Sequence, residues 1–198
     1  GKPVSISLIR DGQIAGVGTG IGDAASVIDA ANRIVAPGLV DTHAQLREPG
    51  FEEDETIETG SRAALAGGFS SIACLPNTSP PIDTPAGVEF IRQKAARAGH
   101  ANVHVIGCIS KNREGQELAE IGTLVESGAV AFSDAPSPLA STDLMRRALQ
   151  YCLMFDKPIF SHAEVPELSQ EGIMHEGVTS LVLGLSGMPA EAEDVMTS

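Results

Sequence analysis

The chain has 198 residues, of which 42% are hydrophobic and 20% charged, and its net charge is −13. That length buries a real core, while the acidic balance leaves no basic stripe to meet nucleic acid or an anionic membrane surface. No apolar run approaches the ~18 residues of a membrane span, and no signal-peptide pattern opens the chain, so a cytoplasmic protein is expected.

The first part reads as a small β unit. Residues 4–10 alternate, Asp11-Gly12 is a hairpin signal, and residues 13–17 return. Val27-Ile28 and Ile34-Val35 read as further short strands. The glycine-rich piece 16–22 lacks the Lys-Ser/Thr ending and the following helix of a phosphate loop, and is expected to be a loop between strands. From residue 39 the rhythm becomes strand, loop, helix. Strands are expected at 39–43, 69–74, 103–108, 130–133 and 158–162. Helices are expected at 59–66, closed by Gly67-Gly68; after the Thr84 cap and Pro85, up to Gly99; at 117–127, ended by Gly128; and from a Ser141 or Thr142 cap to about Phe155. Short helical pieces follow near 179–183 and from Pro189. Cys74, Cys108 and Cys152 are odd in number and sit in apolar runs, which predicts buried thiols in a reducing compartment. The acidic run 52–55 reads as a solvated loop.

Repeated βα units imply parallel strands with right-handed crossovers. An open doubly wound sheet and a (β/α)8 barrel both satisfy that. His43, Asn77, Asp134 and His162 stand at or just past the carboxyl ends of four of the five strands, where a barrel keeps its chemistry; an open sheet gathers ligands only near its switch point. The expectation is therefore an α/β fold: a small β domain over 1–38, then the first part of a (β/α)8 TIM-type barrel over 39–198. About five of eight strands would be present. The chain stops inside a helical pattern without a stop signal, so a fragment is expected.

His43, Asp134 and His162 are zinc-ligand types on one face of that fold. On an extended strand, His43, Gln45 and Arg47 would also point to one side, provided the strand does not end early. Arg47 and Asn77 suit a substrate carboxylate. The plainer readings are a salt bridge from Arg47 to Glu48 or to the acidic run, and a turn role for Asn77 in Pro76-Asn77-Thr78. His100 and His104 flank a helix-to-strand joint, which parts them. Asp83 and Asp156 read as loop and helix-end residues.

The stretches Val35-Ala36-Pro37-Gly38-Leu39-Val40-Asp41-Thr42-His43, Leu46-Arg47-Glu48-Pro49-Gly50, Ala66-Gly67-Gly68-Phe69, Leu75-Pro76-Asn77-Thr78, Ala131-Phe132-Ser133-Asp134 and Ser161-His162-Ala163-Glu164 together resemble dihydroorotase, of the amidohydrolase superfamily. The resemblance covers essentially the whole chain and about the first half of that family. It implies a metal-dependent barrel hydrolase of pyrimidine biosynthesis, which reversibly cyclises N-carbamoyl-L-aspartate to dihydroorotate with a metal-activated hydroxide. It implies one or two zinc ions on His43, Asp134 and His162, with Arg47 and Asn77 on the substrate carboxylate. The proton-transfer aspartate is expected beyond Ser198, so these 198 residues are expected to be inactive alone. His175 matches a family loop position and is expected at the surface. A homo-oligomer acting on a small molecule is also expected.

The departure is Gln45, where the family motif has a second histidine. It remains a weak fourth ligand candidate through its carbonyl oxygen. Two alternatives stay open. One is a noncatalytic partner of aspartate carbamoyltransferase, which usually loses several ligands where this chain departs at one. The other is a hydantoinase or allantoinase type of cyclic amidohydrolase, which usually carries lysine in place of Asp134.

Overall fold

In the computed structural model, the described residues are 5–8, 14–18, 26–30, 32–169 and 172–197. They form two compact units, Gly1–Pro37 and Gly38–Ser198. In the first unit, β1 (Ser5–Leu8) pairs antiparallel with β2 (Ile14–Gly18). The hairpin signal Asp11-Gly12 lies outside the described residues. Gly16 to Gly18 belong to β2 rather than to a loop, because they pair with residues 5–7 of β1. Val27-Ile28 and Ile34-Val35 are not strands. All four side chains are exposed, and no backbone partner runs beside them among the described residues.

The second unit is built on a parallel sheet in the order β3 (Leu39–Ala44), β4 (Phe69–Cys74), β5 (Asn102–Gly107) and β6 (Ala129–Phe132). Each strand feeds a helix: α1 (Ile57–Ala66), α2 (Pro85–Ala98), α3 (Ile121–Ser127) and α4 (Thr142–Met154). Alternation along β4 divides the core. Ile72 and Cys74 face Val88, Ile91 and Leu124 of the helical layer, while Ala73 and Leu75 join Ile106 and Ala131 on the other face. A parallel sheet buried on both faces gives the continuous apolar runs seen in β4 and β5.

Local chemistry explains the boundaries. Thr56 caps α1 by accepting from Thr59 N–H, so the helix starts earlier than residue 59. Thr84 and Ser141 cap α2 and α4 in the same way. The third helix begins at Ile121 and not at 117, because residues 117–119 are drawn into backbone bonds with Lys111 and Ile109.

The expected strand 158–162 is reduced to one parallel bridge between Phe132 and Ile159, with Phe132 N–H on Pro158 O and Phe160 N–H on Phe132 O. Past Phe160 no further backbone ladder bonds reach β6 among the described residues. Beyond it lie α5 (Pro166–Ser169), β7 (Met174–His175), α6 (Val178–Leu183), β8 (Gly187–Met188) and α7 (Glu191–Thr197), with β7 and β8 in a separate two-stranded sheet. His175 is exposed, on β7.

One buried carboxylate ties the loop after β3 to two helices. Glu48 is 5% exposed. Its Oε2 accepts the N–H of Ile57, the first residue of α1, at 2.9 Å, where a negative charge favours the helix terminus. Its Oε1 pairs with Lys94 of α2 at 2.7 Å, and that ammonium also stands 5.5 Å from the Phe90 ring centre. Glu48 is thus spent on Lys94 rather than on Arg47.

Two expected outcomes follow from this packing. Glu48→Ala strands the buried Ile57 N–H, and should lower stability by ~1–3 kcal/mol in urea unfolding; a loss under ~0.5 kcal/mol would mean that water replaces the carboxylate. Burial pushes the Cys74 thiol up to about 12 and the Cys152 thiol up to about 11, and burial with the charges of Asp134 and Asp83 raises Cys108 as well. The reactive thiolate is therefore scarce near about pH 8. Iodoacetamide should label none of the three in the folded protein and all three in denaturant. Rapid labelling of the native protein would contradict that burial.

Candidate active site

β3 stops at Ala44, so strict alternation does not carry through to Arg47. His43 is exposed within the strand, and its backbone N–H donates to Asp41 Oδ1 at 2.8 Å. Gln45 follows, exposed, and Leu46 turns into the core at 6% exposure. Arg47 is half-buried with φ +61°, a left-handed backbone that an arginine adopts only when its surroundings hold it there. The restraints are visible. Glu48 is anchored on α1 and α2, and Phe51 N–H bonds Arg47 O at 3.1 Å. Gly50, with φ +99°, lies so close to the next loop that a Cβ there would sit 2.2 Å from Ser79 O. The Arg47 side chain makes no hydrogen bond or ion pair among the described residues.

The second loop leaves β4 through Leu75 and Pro76. Leu75 N–H bonds Ala44 O at 2.9 Å, which prolongs the β3–β4 pairing past the strand ends. Ser79 N–H bonds Pro49 O at 3.0 Å. Asn77 therefore rises beside the 45–50 loop, 9% exposed, and its Nδ2 donates to Gln45 Oε1 at 3.2 Å. The structure thus brings together the Arg47 loop, Gln45 and Asn77.

Asp134 lies two residues past β6, 3% exposed. Its Oδ1 accepts from Ile109 N–H at 2.9 Å and from Ser110 N–H at 3.2 Å, and its Oδ2 accepts from Ser110 Oγ at 2.5 Å. The Arg113 guanidinium donates to the Asp134 backbone carbonyl at 3.0 and 3.2 Å. Burial raises the Asp134 carboxyl above the usual range, against the opposing pull of the Ser110 and Ile109 bonds and of Arg113. His162 Nε2 contacts Glu164 Oε2 at 3.2 Å, and Glu164 Oε1 accepts from Ser169 Oγ at 2.5 Å. The Ser169 bond and then His162 lower the Glu164 carboxyl. His100 and His104 are parted by the turn from α2 into β5.

Ser110 escaped the sequence reading, while Glu48 entered it only as a partner for Arg47 and Glu164 only as a member of a family stretch. Ser110 was findable, since it is the first polar residue after the apolar run 105–109 and supplies the strand end that lacked one. Glu48 and Glu164 carried no signal beyond their neighbours, because their partners Lys94, Ile57 and Ser169 are set by folding.

Two imidazoles and a carboxylate suit zinc in kind. In arrangement they fall short, because no three His, Cys, Asp or Glu groups among the described residues stand together as an ion would require. Three donors already occupy Asp134, leaving about one lone-pair direction on Oδ2. It cannot bridge two ions without giving up a bond. These residues alone do not make a metal centre.

A family described as Dihydro-orotase-like matches residues 32–197. The dihydroorotase of Pelotomaculum thermopropionicum is 51% identical over 191 residues, covering 96% of this chain and 44% of the relative. Those of Syntrophotalea carbinolica and Acetivibrio thermocellus are 50% and 49% identical, with 94% and 96% of this chain covered and 44% and 45% of the relatives. The chain thus spans less than half the length of these curated relatives. Among solved structures, an L-hydantoinase (dihydropyrimidinase) from Arthrobacter aurescens superposes with a TM-score of 0.70 at 24% identity, over 82% of this chain and 37% of that one. A dihydroorotase from Saccharomyces cerevisiae, solved with 5-fluoroorotic acid, gives 0.53 at 16% identity, over 72% and 39%. Both likenesses speak for the fold alone, the TIM-barrel α/β fold of amidohydrolases. With the match running through the whole parallel sheet and both loops that carry Arg47 and Asn77, the chain belongs to the dihydroorotase-like family of cyclic amidohydrolases.

Proposed function

We propose that the complete protein is a dihydroorotase. It would close N-carbamoyl-L-aspartate to dihydroorotate by attack of the terminal ureido nitrogen on the side-chain carboxyl carbon, with loss of water, and reopen the ring by the reverse. The α-carboxylate does not react in either direction, so it is the natural handle for holding the substrate. Arg47 and Asn77 are assigned to that handle. The observation that carries the reading is Arg47, a half-buried residue whose guanidinium has no partner among the described residues, on a loop bonded to the one bearing Asn77. A planar guanidinium grips a carboxylate through two parallel bonds, and fixing one end of a flexible ureido acid favours the cyclic encounter.

His43, Asp134 and His162 are assigned as metal donors of the complete protein, with zinc the ion that such donors suit. The remaining ligands and the proton-carrying aspartate are assigned to strands outside this chain. The three free buried cysteines support a reducing, cytoplasmic setting. No described helix is long and apolar enough to cross a membrane.

The test is hydrolysis of dihydroorotate by the complete protein, set against dihydrouracil, the same ring without the carboxylate. Arg47→Lys keeps the charge and loses the fork, and should cut the preference for dihydroorotate over dihydrouracil ~10-fold or more, mainly through KM. Turnover of hydantoins but not of dihydroorotate would move the assignment to the hydantoinase type. No turnover with zinc, cobalt or manganese, together with stable binding to aspartate carbamoyltransferase, would make the protein a noncatalytic partner.

A further inference from the structure

Position 45 departs from the strand motif that the rest of the chain follows, and the structure gives its amide a different task. Gln45 Oε1 accepts from Asn77 Nδ2 at 3.2 Å, and neither side chain makes another hydrogen bond among the described residues. Asn77 is 9% exposed, and its loop is held by the Leu75–Ala44 and Ser79–Pro49 backbone bonds. Its main chain is therefore fixed, and the remaining freedom is the turn of the terminal amide.

We propose that Gln45 is a positioning residue that sets the sense of the Asn77 amide. The inference rests on the reading that Asn77 meets the substrate carboxylate. A carboxamide has a donating and an accepting end of nearly equal size. Turned one way, Asn77 offers N–H to a carboxylate; turned the other way, it offers a carbonyl oxygen that repels it. A neighbouring acceptor decides the matter. With its Oε1 turned to Asn77, as in this structure, Gln45 takes one Nδ2 hydrogen and leaves the second for the ligand. An imidazole bound to a metal cannot do the same, because its free ring nitrogen carries a hydrogen and can only donate. The amide oxygen is a weak zinc ligand but a good acceptor for another amide, so glutamine suits the second task better than the first.

The experiment is a double-mutant cycle on the complete protein, using Gln45→Met, Asn77→Ala and the pair. Dihydroorotate kinetics and bound metal, by elemental mass spectrometry, are read for each. Gln45→Met removes the acceptor at similar volume. It should raise KM for dihydroorotate ~10-fold with kcat changed less than about twofold, and should leave bound metal unchanged. In the Asn77→Ala background it should add nothing, since the group it orients is gone. Gln45→His should raise KM similarly, whatever it does to metal content. A Gln45→Met protein that loses metal, loses kcat at unchanged KM, or weakens Asn77→Ala by the same factor as the parent would overturn the inference alone. A parent that hydrolyses dihydrouracil and not dihydroorotate would overturn the carboxylate reading, and this inference with it.

Discussion

Parallel pairing of β3 with β4 is the constraint on which the site depends. It runs past the strand ends, through Leu75 N–H on Ala44 O, and then through Ser79 N–H on Pro49 O. Because parallel strands end on the same side, the loops leaving them must share a rim. Backbone bonds between those loops convert a shared rim into a fixed distance. Without them, the left-handed Arg47 and the amide of Asn77 would stand on two independent segments, each with its own conformational entropy to lose on meeting a ligand.

The supports around this rim are polar and buried, and each is nearly complete. Glu48 anchors one loop to two helices. Asp134 anchors the turn after β5 by three bonds from Ile109 and Ser110. No buried side-chain nitrogen or oxygen among the described residues lacks a partner. Such networks rigidify a site when every member is satisfied and destabilise it when one is missing. They also constrain chemistry, because a carboxylate already holding three donors has little left for an ion.

Much of the framework was legible in residue order. The apolar runs of β4 and β5, the Thr84-Pro85 start and Gly99 stop of α2, and the Gly128 stop of α3 each come from local chemistry. The misses have physical causes too. Residues 158–162 have a strand's composition, yet only the portion from Pro158 to Phe160 bonds to Phe132, and a strand exists only where a neighbour receives its hydrogen bonds. Val27-Ile28 and Ile34-Val35 fail for the same reason.

For the site, polar groups at successive strand ends drew attention to His43, Asn77, Asp134 and His162, and the family resemblance gave these residues, Gln45 and Arg47 their expected roles. Only the resemblance to the family motif marked Gln45 as the exception. Which of these groups touch was a matter of folding. The Gln45–Asn77 bond joins residues 32 apart, and the Asp134–Ser110 bonds join residues 24 apart. Nothing in the neighbouring sequence specifies either. The positive φ of Arg47 and the preference of Glu48 for Lys94 over Arg47 likewise depend on helices that pack only once the sheet has formed. Local order sets what each segment can offer, while long-range pairing sets which offers are taken up.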